Sequence, residues 1–110
     1  MILSFIIPTL NEESVIEKLL KNLKEIQGFD YEIIVSDGKS TDKTLDIARC
    51  YGARIVENKS GERQTIGEGR NQGAAVATGD FLVFLDADVY IPKPENFFVG
   101  ALENFKINPN

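Results

Sequence analysis

Residues 2–13 read ILSFIIPTLNEE, and the change of character within this stretch decides the fold. Ile2 to Ile7 is a short apolar run rich in Ile and Phe, which suits a buried strand, and it stops at Pro8, a residue with no N–H to donate. The run lies far below the roughly 18 apolar residues of a membrane span and has neither a basic flank nor a small-residue cleavage site, so it reads as a first strand. Asn11 then stands where an N-cap belongs and Glu12 and Glu13 fill a first turn. Val15, Ile16, Leu19, Leu20, Leu23 and Ile26 repeat at helical spacing up to Gly28. A buried strand feeding an amphipathic helix is the start of a β-α repeat.

The rest of the chain continues that rhythm. Tyr31 to Ser36 reads as a second strand, followed by the turn Asp37-Gly38-Lys39-Ser40. A second helix is capped by Ser40 or Thr41, with Asp42 near its positive end. Arg54 to Glu57 alternates polar and apolar residues as an edge strand does, and Asn58 to Glu62 is a polar loop. Arg63 to Thr78 reads as a helix although Gly67, Gly69 and Gly73 each weaken it by about 1 kcal/mol relative to Ala, which implies close packing or a ligand. Asp80 to Leu85 is a fourth, central strand. The tail from Pro92 to Asn110 carries Phe97, Phe98, Leu102 and Phe105 on one further helical face that starts near Pro94. The order β-α-β-α-β-α-β demands parallel strands and right-handed crossovers. We therefore expect an α/β fold, a Rossmann-like three-layer sandwich with a mostly parallel sheet in the order 3-2-1-4. Ligands on such sheets bind beyond the carboxyl ends at the switch point, where PTLNE, SDGKSTD and DADV would meet.

Composition narrows the chemistry. The 110 residues fit one domain, 43% are hydrophobic, and the 12 basic and 17 acidic residues leave a charge of −5. No nucleic acid is expected as a partner, because that role usually needs a basic face. There is no histidine and one cysteine, which excludes His-based triads, the usual zinc sites and an internal disulfide. Cys50 itself reads as a small core residue.

Asp86 and Asp88 end the fourth strand two positions apart. If strand geometry persists, both side chains leave one face about 6.6 Å apart. That gap suits a divalent cation, Mg2+ or Mn2+, which takes one or two carboxylates and leaves other positions to phosphate oxygens and water. The residues alone also allow a plainer role, two acids that cap the following turn. No phosphate-cradling G-x-x-x-x-G-K-[ST] is present and no G-x-G-x-x-G follows the first strand, which disfavours ATPases and NAD(P) dehydrogenases.

Together the segments SFIIPTLNEE, EIIVSDGKSTDKT and GRNQGAAVATGDFLVFLDADV resemble, in order and spacing, three signature blocks from the N-terminal half of family 2 glycosyltransferases. The resemblance implies a GT-A fold and an inverting, metal-dependent transfer of a sugar from a UDP- or GDP-linked nucleotide-diphosphate donor to an acceptor hydroxyl. By the same resemblance Pro8 and Thr9 border the nucleobase and ribose, and Asp37 hydrogen-bonds the base. Arg70 lies close to the nucleotide, Asp86 lies near the ribose and the metal, and Asp88 coordinates the metal and through it the diphosphate.

Three departures qualify the match. Gly38 and Lys39 occupy the positions of the family's usual second Asp and Gly, and Leu10 replaces a frequent Tyr. Family domains are longer, and the half after the D-x-D pair supplies the acceptor site and the general base. We expect no catalytic base within residues 1–110, read as a single, truncated nucleotide-sugar-binding domain. A cytoplasmic location is expected, with membrane association only through a missing C-terminal part. A truncated sheet also exposes an edge through which the chain can self-associate. A non-catalytic nucleotide-binding or regulatory module on the same fold is the alternative; a nucleotidyltransferase is disfavoured by PTLNEE, where a Gly-rich loop would stand.

Overall fold

The computed structural model describes residues 2–26, 28, 30–58, 62 and 64–91, together with the backbone of 107–109. In chain order the elements are β1 (Ile2–Thr9), α1 (Ile16–Lys24), β2 (Asp30–Asp37), α2 (Thr44–Cys50), β3 (Arg54–Glu57), α3 (Ile66–Val76), β4 (Phe81–Phe84) and β5 (Ile107–Pro109). The sheet order is β3-β2-β1-β4-β5. The first four strands are parallel, as the alternation with helices requires, and β5 runs antiparallel to β4. The expected 3-2-1-4 arrangement is present, with β5 added beyond β4. The helix anticipated over Phe97 to Phe105 lies outside the described residues.

Strand parity explains how two helical layers are held. Leu3, Phe5, Ile7, Ile33, Val35 and Val83 point to one face and pack with Ile16, Leu19, Leu20 and Leu23 of α1 and Ala48 of α2. Ile6, Ile34 and Leu82 point to the other and meet Ala74, Val76 and Ala77 at the end of α3. These strands are apolar on both faces because both are covered.

β1 runs through Pro8 to Thr9 instead of stopping at the proline. The carbonyls of Ile2 and Ile6 accept from Asp80 and Leu85 on the β4 side, and Pro8 has the same parity. Its missing N–H therefore falls where β4 pairing has already ended, and the ladder to β2 continues to Thr9 opposite Asp37. α1 is shorter than expected and begins at Ile16 with no side-chain cap. Asn11 has φ +54° and accepts from the Thr41 N–H at 2.8 Å, so it joins two loops instead of capping the helix. α2 begins at Thr44, whose N–H donates to Asp42 at 2.9 Å, while Ser40 turns back to Asp37. Cys50 is exposed, contrary to its reading as a core residue. The buried side of α2 carries Thr44 and Ala48, and Cys50 stands two positions from Ala48, on the opposite side of the helix.

α3 opens with a reciprocal capping box between Thr65 and Glu68. Gly69 and Gly73 offset their low propensity through proximity to the sheet: a Cβ on Gly69 would stand 3.1 Å from Pro8 Cβ, and one on Gly73 2.5 Å from Ile6 Cγ2 and 3.6 Å from Ser36 Cβ. Only a glycine lets the helix lie this close to the sheet.

Candidate functional site

A cavity of about 210 Å³ opens where β1, β2 and β4 end. Pro8, Thr9, Leu10 and Glu12 form the wall after β1, Ser36 comes from β2, and Asp86, Ala87 and Asp88 come from the segment after β4. Gln64, Thr65, Ile66 and Gly69 close the side formed by the start of α3. The volume is below the several hundred Å³ of sites that enclose a drug-sized ligand.

The segment after β1 that forms this wall is tied to the loop after β2 behind it. Asn11 N–H donates to Ser40 Oγ at 2.8 Å, Glu12 N–H to Thr44 Oγ1 at 2.9 Å, and Glu13 N–H to Asp42 at 3.1 Å. In return Thr41 N–H donates to Asn11 Oδ1 at 2.8 Å and Lys43 N–H to Glu13 at 3.2 Å. The acidic segment is held at both ends. Leu85 N–H donates to the Ile6 carbonyl at 3.0 Å, and buried Asn22 exchanges two hydrogen bonds with the backbone of Ile91 at 2.9 and 2.5 Å.

Between those ends the chain turns. Val89 N–H donates to the Asp86 carbonyl at 3.1 Å, and β4 has already ended at Phe84. Strand geometry therefore does not persist to Asp88, and the strand-derived spacing of the two carboxylates does not apply. Both acids nevertheless line the same cavity. Arg70 Nη2 lies 3.6 Å from Asp86 Oδ1, with both side chains substantially exposed; it stands beside the cavity and not in its wall.

Of the residues anticipated from sequence, Pro8, Thr9, Asp86 and Asp88 share the cavity wall. Asp37 does not. It has no accessible surface, and its carboxylate accepts from Thr9 Oγ1 at 2.6 Å, Ser40 Oγ at 2.6 Å and Ser40 N–H at 2.7 Å. Asp37 Oδ2 keeps acceptor capacity beyond the Ser40 N–H, but with no accessible surface it meets a base only if the side chains around it move. Sequence reasoning missed Ser36, Glu12 and Gln64 as lining residues. Glu12 had a signal, since it follows β1 by three positions at the end of the sheet where ligands bind. Its pKa is raised, first by burial and then by the negative charges of Asp88, Asp42 and Asp86.

This concentration of carboxylates fits a divalent cation. Asp86, Asp88 and Glu12 make the cavity electronegative, yet among the described residues no three acids, cysteines or histidines form a self-sufficient chelating cluster. A donor set of one or two carboxylates completed by phosphate oxygens and water is the one Mg2+ and Mn2+ accept.

The family model described as glycosyl transferase family 2 matches residues 4–96. The chain belongs to this family, and its fold is that of the GT-A glycosyltransferases. A "PGL/p-HBAD biosynthesis glycosyltransferase" of Mycobacterium bovis is 39% identical over 88 residues, covering 77% of this chain and 34% of the relative. The crystal structure of Staphylococcus aureus TarS 1–349 in complex with UDP superposes with a TM-score of 0.80 at 32% identity, over 93% of this chain and 31% of that one. Glucosyl-3-phosphoglycerate synthase of Mycobacterium tuberculosis, in complex with Mn2+, UDP and glucosyl-3-phosphoglycerate, gives 0.73 at 34% identity, over 93% and 39%. The chain thus spans about a third of the length of these relatives.

Proposed function

We propose that the chain is the nucleotide-sugar-binding region of an inverting, metal-dependent glycosyltransferase. The observation that carries this is the meeting of Asp86, Asp88 and Glu12 with Thr9 and Ser36 in one cavity at the carboxyl ends of β1, β2 and β4. Relatives that hold UDP, and in one case UDP with Mn2+, support it.

In this reading Asp88, with Asp86, would hold the cation. A divalent cation held there would supply positive charge to offset that of the diphosphate leaving group. Pro8 and Thr9 border the nucleoside, and Arg70, released from Asp86, faces the phosphates. The acceptor site and the group that takes the acceptor proton lie outside these 110 residues, in the part of the relatives that the chain does not span. The donor is UDP- or GDP-linked.

Calorimetric titration of UDP and GDP, each with and without Mn2+, tests the proposal. Binding of one of them should require Mn2+, and Asp88→Ala should abolish that requirement together with most of the affinity. Arg70→Met should weaken binding about tenfold or more, the worth of a charge-assisted hydrogen bond. Its effect on stability should be below about 1 kcal/mol, because the pair with Asp86 is solvent-exposed. Nucleotide binding indifferent to both Mn2+ and Asp88 would overturn the metal-dependent reading and favour a non-catalytic module.

A further inference from the structure

Among the described residues, two side-chain polar atoms are buried without a hydrogen-bond partner: Ser36 Oγ and Gln64 Oε1. Both belong to residues that line the cavity. Native proteins leave few buried polar atoms unpaired, because each has given up its bonds to water without a replacement. Two such atoms in the walls of one cavity mark a place where a ligand completes the bonding.

Their chemistry is complementary. Gln64 Nε2 is committed to Gln72 Oε1 at 3.0 Å, which leaves the Gln64 oxygen as an acceptor. Ser36 is 1% exposed, and its hydroxyl can donate. Gln64 lies over the β2–α2 turn, where a Cβ on Gly38 would stand 3.3 Å from its Oε1. The family's frequent Asp at that position would crowd this side chain; glycine makes room for it. Asp37, the residue expected at the base, has both oxygens engaged by Thr9 and Ser40.

The cavity is also polarised. Its acids, Asp86, Asp88 and Glu12, come from the segments after β4 and β1, whereas Ser36 and Gln64 are uncharged. A metal-bound diphosphate belongs with the acids, and an uncharged hydrogen-bonding group with Ser36 and Gln64. Resting on the nucleotide-sugar reading above, we infer that Ser36 and Gln64 read the nucleobase. Gln64 Oε1 accepts from a ring N–H and Ser36 Oγ donates to the carbonyl oxygen beside it. Uracil and guanine present that N–H and carbonyl pair; cytosine and adenine do not.

Calorimetry with UDP, GDP, CDP and ADP in the presence of Mn2+ tests this on the native chain, on Ser36→Ala and on Gln64→Met. The tighter of UDP and GDP should exceed both CDP and ADP by about tenfold, and each substitution should weaken it about five- to tenfold while narrowing that preference. A purely structural serine would lower the thermal midpoint of the ligand-free protein when replaced. An unpartnered one should leave that midpoint unchanged or raised in Ser36→Ala. Tight UDP or GDP binding that neither substitution alters, or a preference for CDP or ADP, overturns the base-reading role alone. Absence of binding by all four nucleotides overturns the nucleotide-sugar reading and this inference with it.

Discussion

Thr9 and Asp37 face one another in register where β1 and β2 end, and the Thr9 hydroxyl donates to Asp37 Oδ1 at 2.6 Å in a buried setting. With the two bonds from Ser40, this lets a carboxylate occupy a position that has no accessible surface. Thr9→Val keeps the shape and removes the donor, so it should cost about 1–3 kcal/mol in urea unfolding at neutral pH. Thr9→Ser should recover most of the loss. Equal stability of the valine and threonine proteins would show that the bond contributes nothing net.

Lys39 has φ +74°, a left-handed conformation in which a side chain costs about 1–2 kcal/mol. Glycine removes this strain but gives the unfolded chain entropy worth about 0.4–1 kcal/mol. Strain is the larger effect, so Lys39→Gly should raise the thermal midpoint by a few degrees. Asn11, also left-handed at φ +54°, should show no such gain as Gly, because its side chain accepts the Thr41 N–H.

Gly73→Ala places opposing effects against each other. Helix propensity favours alanine by about 1 kcal/mol, while a Cβ 2.5 Å from Ile6 Cγ2 overpacks a fully buried β-branched side chain, at about 1–3 kcal/mol. Net destabilisation is expected. Ile6→Leu in the same protein removes the β-branch and should recover part of it, which a double-mutant cycle by denaturant unfolding would read.

Glu32 contributes to the acid limb of stability. Burial pushes its pKa up, but hydrogen bonds from the Ser4 hydroxyl, from the N–H and hydroxyl of Thr78 and from the Gly79 backbone outweigh this and hold it below the ordinary Glu value. A carboxylate with a depressed folded pKa contributes stability above its unfolded pKa and loses it as the pH falls through the folded value. Glu32→Gln should therefore be less stable than the native chain at pH 7. The difference should shrink as the pH drops below about 4.5. Parallel stability curves from pH 7 to 3 would exclude this contribution.

The sheet was legible because β1, β2 and β4 are apolar runs between turn residues, and because helices between them allow few topologies. The helix starts were not. Asn11 and Ser40 have the residue types of caps, but Asn11 finds its partner in the neighbouring loop, which only the tertiary structure brings close, and Ser40 turns back to Asp37 three residues earlier. Asp86 and Asp88 were legible as a pair of acids at the switch point. Their geometry was not, since nothing in DADV marks the turn that the Val89 N–H closes. Ser36 and Gln64 could not be found from sequence at all: what distinguishes them is a missing partner, and that is a property of the packed molecule.

The bonds between the β1–α1 and β2–α2 loops join residues 29 to 32 positions apart in the chain. The ordering entropy of both loops is incurred when the protein folds, so a ligand meets a wall already assembled. The same bonds tie the two segments together as sequences. A replacement of Asn11 or Glu13 strips partners from Thr41 or Lys43, so the two loops can diverge only in concert.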